Sequence, residues 1–444
     1  MNTSNALYAR VQNRIVPKRL GLVLCLLMLA LLLLQNRAYA LTIDIVGGTE
    51  SGVPIAIVPF ENEDRASDSI SQIVAANLSR SGLFAPLERS AMPGFPATPD
   101  QLRVDNWRAG RAQYVVIGSL QRYEQGFRAE FHLLDVTRGD WLLGRRISAP
   151  VDGVRQIAHR ISDIVYEEIT GERGAFTTRI AYVKEQGQPG DKTYTLQIAD
   201  ADGANPVTIL TSKYPIMSPT WSPDGQQLAY VSFEGNRSGI WVQDLGGYRY
   251  QLTSYPGING APAWSPDGGR IAVALSKGEN PNIYVIDLET RQVEQITRER
   301  GIDTEPDWLP DGSGLIFTSN RFGSPQVFRK TLDGSRAQRL TFDLPYAAGA
   351  RVSPDGKHIA FVTRDQRGYV IGQQSMDNGT PRMLSNSGRE ERPSYAPNGT
   401  MLIYATQTNR GSELRIVPSV GGNAQALRFS DGQVRDPAWG PFIN

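Results

Sequence analysis

From about residue 214 onward the chain repeats one arrangement of apolar and polar positions. A turn of the Ser-Pro-Asp-Gly kind is followed by a short run of strand-forming residues. These runs are Leu228-Ala229-Tyr230-Val231, Ile271-Ala272-Val273-Ala274, Leu315-Ile316-Phe317-Thr318, Ile359-Ala360-Phe361-Val362 and Leu402-Ile403-Tyr404-Ala405. A second run comes roughly ten residues later, as in Ile240-Trp241-Val242 and Ile283-Tyr284-Val285, and a shorter third closes the unit, as in Gln251-Leu252-Thr253 and Arg339-Leu340-Thr341. Before each turn stands an anchor: Trp221, Trp264, Trp308, Val352, Tyr395 and finally Trp439, spaced by 43, 44, 44, 43 and 44 residues. With the strand that carries the anchor, each period holds four short strands, which predicts the blades of a β-propeller. The turn residues fit: Pro presets φ, Asp bonds its own backbone, and Gly accepts a positive φ at the exit.

The count of blades follows from the ends of the repeat. No strand follows Trp439, but Arg179-Ile180-Ala181-Tyr182-Val183 has the pattern of Gln227-Leu228-Ala229-Tyr230-Val231. The last strand is therefore expected to complete a blade begun near residue 178. That closes six four-stranded antiparallel blades over residues 173–444 and leaves no open edge.

Residues 53–172 read as a small α/β domain. Ile55-Ala56-Ile57-Val58-Pro59-Phe60 is a buried strand, and Ser69-x-x-Gln72 has the form of a capping box before a helix faced by Ile70, Ile73, Val74 and Leu78. A short helix is expected from Thr98-Pro99-Asp100-Gln101 to Gly110. Strands are expected at Tyr114-Val115-Val116-Ile117-Gly118, at the alternating Phe127 to Leu133 stretch, and at Trp141 to Ser148. The spacing of Ile157, Ile161, Ile164, Val165 and Ile169 predicts a long helix over about 154–170, stopped by Gly171.

The first 40 residues are read as a cleaved secretory signal. Arg10, Arg14, Lys18 and Arg19 precede an apolar run of 15 residues, Leu20 to Leu34, and Ala38-Tyr39-Ala40 forms a cleavage site before Leu41. Fifteen apolar residues fall short of the ~20 that span a bilayer. Cys25, the one cysteine, lies in this run, so the mature chain is expected to have no disulfide, thiol nucleophile or Cys-ligated metal. Loss of the leader leaves 41 basic against 45 acidic residues, a balance of −4. A mildly acidic chain lacks the footprint of a nucleic-acid binder. Residues 41–52 follow as a tail: Leu41, Thr42, Ile43, Asp44, Ile45 and Val46 alternate in character, and Gly47, Gly48 and Gly52 give reach. Read from the residues alone, this is a frayed terminus ahead of a strand that adds to a partner's sheet.

Candidate chemistry is sparse. His132, His159 and His358 stand without a second His or Cys at ligand spacing, and the chain lacks G-x-S-x-G, H-E-x-x-H, Walker and G-x-G-x-x-G motifs. Asp200-x-Asp202-Gly203 looks like the start of a calcium loop but lacks the later ligands, so it reads as a hairpin turn. No cofactor or metal is expected. The repeated Asp224, Asp267, Asp311 and Asp355 read as turn formers, and the anchor tryptophans as packing between blades. The least repetitive stretches lie just before the anchors and meet at one mouth of the central channel. They carry Ile258, Asn259, Ala261, Thr304, Glu305, Tyr346, Arg389, Glu390 and Arg435. Apolar residues and charges of both signs on one rim suit a protein or peptide ligand. The competing reading is a propeller hydrolase or dehydrogenase acting at that mouth.

Taken together the chain resembles the TolB family of Gram-negative bacteria. The resemblance rests on Gly52-Val53-Pro54-Ile55-Ala56-Ile57-Val58-Pro59-Phe60, Asn259-Gly260-Ala261-Pro262, Thr304-Glu305-Pro306, Ala396-Pro397-Asn398-Gly399-Thr400-Met401 and Asp431-Gly432-Gln433-Val434-Arg435. It implies a non-catalytic periplasmic adaptor of the Tol–Pal system that supports outer-membrane integrity and constriction at division. The implied partners are the lipoprotein Pal at the propeller mouth, the C-terminal domain of TolA at residues 41–46, and colicins and other outer-membrane proteins. The tail is then a strand that adds to TolA. Ile258 stands where the family often has His.

Overall fold

The computed structural model describes residues 52–443, apart from 378, 410, 428, 430 and 431. The expectations for Ala40, for Leu41 to Val46 and for the leader lie outside the described residues.

The first five strands make one mixed sheet in the order β2-β1-β3-β4-β5, with β1 Val53–Ile57, β2 Phe84–Pro86, β3 Tyr114–Tyr123, β4 Gly126–Asp135 and β5 Asp140–Ala149. The β1 strand pairs parallel to both β2 and β3, and the rest is antiparallel. Three helices accompany the sheet: α1 Ile70–Arg80, α2 Val104–Ala109 and α3 Val154–Thr170. The Ser69 side chain accepts from Gln72 N and caps α1, an arrangement that contributes about 1 kcal/mol. Gly171 ends α3 at φ 76°, a left-handed conformation that suits a residue without Cβ. Two expectations shift. The first strand covers Val53–Ile57 and ends before Pro59, whose ring cannot donate to a ladder. The single helix expected from 98 to 110 is a 3-10 turn, Pro99–Gln101, and a separate α2. Leu102 and Arg103 between them are extended, and the buried Leu102 packs beside Trp107.

The remainder is a six-bladed propeller of four-stranded antiparallel sheets. Blade I has Ile216–Trp221 innermost, followed outward by Gln227–Ser232, Gly239–Asp244 and Arg249–Thr253. Blades II to V start at Asn259–Trp264, Asp303–Trp308, Ala347–Val352 and Glu390–Tyr395. Blade VI is the seam. Its innermost strand, Gln433–Trp439, pairs with Arg179–Gln186, with Val434 opposite Lys184 and Trp439 opposite Ile180. The repeat pattern predicted this closure. Each innermost strand packs against the innermost strands on either side, so the ring is complete.

The repeat residues act between blades as well as within them. In blade I the Ser222 hydroxyl lies 2.5 Å from Asp224, whose carboxylate also accepts from Gln226 N, and Gly225 takes φ 68°. The anchors bridge neighbours: Trp308 Nε1 donates to Ala263 O at 3.0 Å, and Trp221 Nε1 to Ala438 O at 3.2 Å across the seam.

Antiparallel order sorts the loops onto two faces. One face carries the Ser-Pro-Asp-Gly turns and the hairpins from third to fourth strand. The α/β domain docks on that face, over blades V and VI. Asn398 in the blade V turn donates to Arg173 O, Gln425 donates to the Ser79 hydroxyl, and Arg155 pairs with Asp202 in the blade VI hairpin. One hydrophobic core runs from Ile55, Val74 and Tyr166 through Phe176 to Met401, Val434 and Trp439. The opposite face keeps the segments that enter the innermost strands and stays clear of that domain.

Candidate functional site

The six innermost strands share a feature that the residue types do not announce. Three positions before each anchor the backbone turns left-handed: Ser218 (φ 54°), Ala261 (49°), Glu305 (54°), Gly349 (61°), Arg392 (50°) and Asp436 (52°). At each of these positions the pairing register with the second strand shifts, which marks a β-bulge. A bulge re-aims side chains and is over-represented next to functional sites. Only one of the six is glycine, and the left-handed region costs other residues about 1–2 kcal/mol. That cost is met five times around the upper channel.

Bonds between blades hold the bulges. Glu305 Oε2 accepts from Gly349 N of the next blade at 2.9 Å and from the Thr318 hydroxyl at 3.0 Å. Arg392 pairs with Asp436 at 2.8 Å, and Asp436 Oδ2 accepts from Ser218 N at 3.0 Å. The Asp436 carboxylate holds the Arg392 guanidinium above its ordinary pKa, with help from Glu305 and Glu391. One position before the anchors, Asp307 accepts from Val352 N, and burial pushes its carboxyl up.

Over blades III to V the mouth opens into a cavity of about 440 Å³ lined by Glu305, Tyr346, Tyr369, Arg389, Glu390, Arg392 and others. Tyr346 and Tyr369 meet edge to face at 5.4 Å. Burial, then Glu305 and Tyr369, raise the Tyr346 pKa, so its hydroxyl stays protonated. Arg389 is exposed and has no ion pair among the described residues. The loops of the same face expose apolar side chains: Tyr214, Ile258, Ile302, Phe342 and Tyr369, and Phe322, which is 73 % exposed.

The residues expected to meet a partner divide into two groups. Glu305, Tyr346 and Arg389 line the cavity, and Ile258 and Thr304 sit where the chain enters blades II and III. The other four are committed inward. The Asn259 amide is buried and bonds Tyr255 and Gly257 of its own turn. Glu390 is 1 % exposed; its carboxylate accepts from the backbone N–H of Ser387, Gly388 and Arg389 and from the Ser387 hydroxyl. Ala261 is a bulge position. Arg435 pairs with Glu185 at 3.4 Å and lies over the Tyr194 ring. These four shape the loops that carry the exposed residues. Residues that the rim reading passed over are Tyr369, Phe322 and Phe342. Phe322 sits in a hairpin from second to third strand, which the antiparallel order brings to the same mouth. Arg321 beside it pairs with buried Asp303 at 2.9 Å and stacks on Phe317 and Phe328.

Histidine offers no catalytic constellation at the mouth. His132 and His159 lie in the α/β domain, and His358 starts the second strand of blade IV on the far face.

A six-bladed propeller of this repeat type, joined to a small α/β domain and open at one mouth, defines a class of two-domain propeller protein. The profile of the TolB beta propeller domain matches residues 166–443, and that of the TolB amino-terminal domain matches residues 41–142. The chain belongs to the TolB family and has the role of a Tol–Pal system component. It is 50 % identical over 402 residues to the Tol-Pal system protein TolB of Methylococcus capsulatus, covering 90 % of this chain and 94 % of that one. It is 47 % identical over 425 residues to the protein of the same name from Xanthomonas oryzae, covering 93 % and 97 %. A crystal structure of TolB from Acinetobacter baumannii superposes with a TM-score of 0.82 at 40 % identity, covering 88 % of this chain and 98 % of that one. Among the described residues no helix is long and apolar enough to cross a membrane.

Proposed function

We propose that the chain is a non-catalytic periplasmic adaptor that takes the lipoprotein Pal at the propeller mouth and TolA through residues 41–46. In this reading it links the outer membrane to the rest of the Tol–Pal system and supports constriction at division. The observation that carries the reading is the mouth itself. Exposed Ile258, Ile302 and Phe322 share the face, away from the α/β domain, on which Tyr369 and an unpaired Arg389 line a cavity. An apolar patch around a few fixed polar groups is the anatomy of a protein interface, with aromatic residues and Arg as its anchors. The rim is rigid because bonds between blades hold five of its six bulges, so a partner loses little entropy ordering it.

The test is calorimetry of residues 41–444 with the soluble domain of Pal from the same species, repeated with Thr304→Arg. Micromolar or tighter binding that the substitution abolishes supports the adaptor and its site. Absence of binding by the wild type sinks the Pal assignment. Deletion of residues 41–52 should abolish TolA binding while leaving Pal binding in place; retained TolA binding would refute the role of the tail.

A further inference from the structure

His159 lies on α3, 3 % exposed, between the α/β domain and blade VI. Its Nδ1 is 2.9 Å from Asn77 Nδ2, an amide that also donates to the Ser162 hydroxyl. The Asn77 orientation is fixed on its other side, where Arg80 Nη1 donates to Oδ1. Nδ1 is therefore an acceptor, and the ring proton of neutral His159 sits on Nε2. Among the described residues Nε2 has no hydrogen-bond partner, and it faces Asp202 Oδ2 at 3.6 Å and Asp200 Oδ2 at 4.0 Å, both in the blade VI hairpin.

These three residues bring ligand atoms within 4.8 Å of one another, as a metal site would. The surroundings argue against a metal. A cation would need the Nε2 lone pair, which the Asn77 bond assigns to a proton. It would also have to displace Arg155, which holds Asp202 at 2.5 Å and Asp68 at 3.0 Å, next to the buried Arg80. Three carboxylates (Asp68, Asp200, Asp202) face two guanidiniums here, and Arg179 of the adjacent strand acts on Asp200. The cluster has room for one more proton in charge but not in solvation.

We infer that His159 is a proton-sensitive joint between the α/β domain and the propeller: neutral His159 fits the closed interface, and protonated His159 favours its opening. Burial, with Arg155 and Arg80 opposing Asp202, lowers the pKa of His159 to about 4 from an ordinary 6.5. A base with a lowered pKa binds fewer protons in the closed form. Closure is then fully favoured above about pH 6.5, weakens as pH falls, and levels off below about pH 4. Between pH 7.5 and 5.5 the opening constant should rise about tenfold.

The experiment is hydrogen exchange of the full mature chain, with opening constants corrected for intrinsic exchange. The amides followed are those of Ala201, Gly203 and Ala204, which are bonded within the joint. The expected result is about tenfold more opening at pH 5.5 than at 7.5 in wild type, less than twofold in His159→Gln, and no change in the strands of blades II and III. A wild-type joint indifferent to pH, or a variant that keeps the tenfold response, overturns the inference. Should His159→Gln fail to fold, NMR titration of the wild-type imidazole decides instead. A ring still neutral at pH 5.5 supports the joint, and one that titrates near 6.5 without added opening refutes it.

Discussion

Asp436 of the last blade accepts a hydrogen bond from Ser218 N of the first at 3.0 Å while pairing with Arg392 of the fifth at 2.8 Å. One carboxylate thus joins three blades at the channel, with its side chain 5 % exposed. Removal of one partner from a buried pair costs about 3–5 kcal/mol because the other charge stays unpaired. Asp436→Ala should therefore lower stability in urea unfolding by about 3 kcal/mol. Adding Arg392→Met should recover part of that loss. If the double variant were as unstable as the sum of the single ones, the pair would not be coupled.

Ala261 has φ 49° and no side-chain bond to justify it. Glycine takes that conformation without strain but has more freedom to lose on folding. Ala261→Gly should thus be neutral or stabilising by up to about 1 kcal/mol, whereas Ala263→Gly, two residues on in ordinary strand, should cost about 1 kcal/mol. Thermal unfolding of the two variants side by side measures the sign.

Trp308 and Trp264 occupy the same repeat position, yet of the two only Trp308 Nε1 finds a carbonyl; Trp264 Nε1 is buried without a partner among the described residues. Phenylalanine in either place removes similar packing. Trp308→Phe should cost about 1 kcal/mol more than Trp264→Phe, the net worth of one hydrogen bond plus its orphaned acceptor. Equal losses in denaturant titrations would mean that the bond contributes nothing.

Glu390 and Arg389 adjoin in sequence but should respond to mutation in different ways. If the mouth takes Pal as proposed, Arg389→Ala should weaken that binding about tenfold or more and leave the melting temperature unchanged, since the side chain is exposed and has no ion pair among the described residues. Glu390→Ala strips the acceptor from three buried or half-buried N–H groups. It should cost about 2 kcal/mol of stability and weaken binding by loosening the loop that presents Arg389. Calorimetry and thermal melts on both variants separate contact from support.

The sequence exposed its architecture because the propeller is a repeat. Anchors at 43 or 44 residues, turn residues with one conformational meaning and the match of residues 179–183 to 227–231 each stated one blade. Ser69 and Gly171 marked helix ends because capping needs few residue types. The bulge ring stayed hidden for the opposite reason. Ser218, Ala261, Glu305, Gly349, Arg392 and Asp436 share a backbone conformation and no chemistry, so no pattern of residue types reports it. Likewise Glu390 reads as a surface charge until the three N–H groups that surround it are placed. His159, in a helix, and Asp200 and Asp202, in a turn, are some 40 residues apart and meet only through docking of the α/β domain. The break between Pro99–Gln101 and α2 was missed because burial of Leu102 outweighs local helix preference.

The seam has a consequence for how the molecule is made. Arg179–Gln186 comes early in the chain, yet its inner partner, Gln433–Trp439, lies about 250 residues later. That strand edge stays unpaired until the end of the chain is delivered, and Trp439 Nε1 then seals it against Thr178. Blades I to V can stack as they emerge, but the channel has no complete rim until the last turn of chain arrives. A product cut short by even ten residues would lack Asp436 and Trp439 together. It would expose an edge strand and present no finished mouth, so the ring and its upper rim stand or fall on the last few residues of the chain.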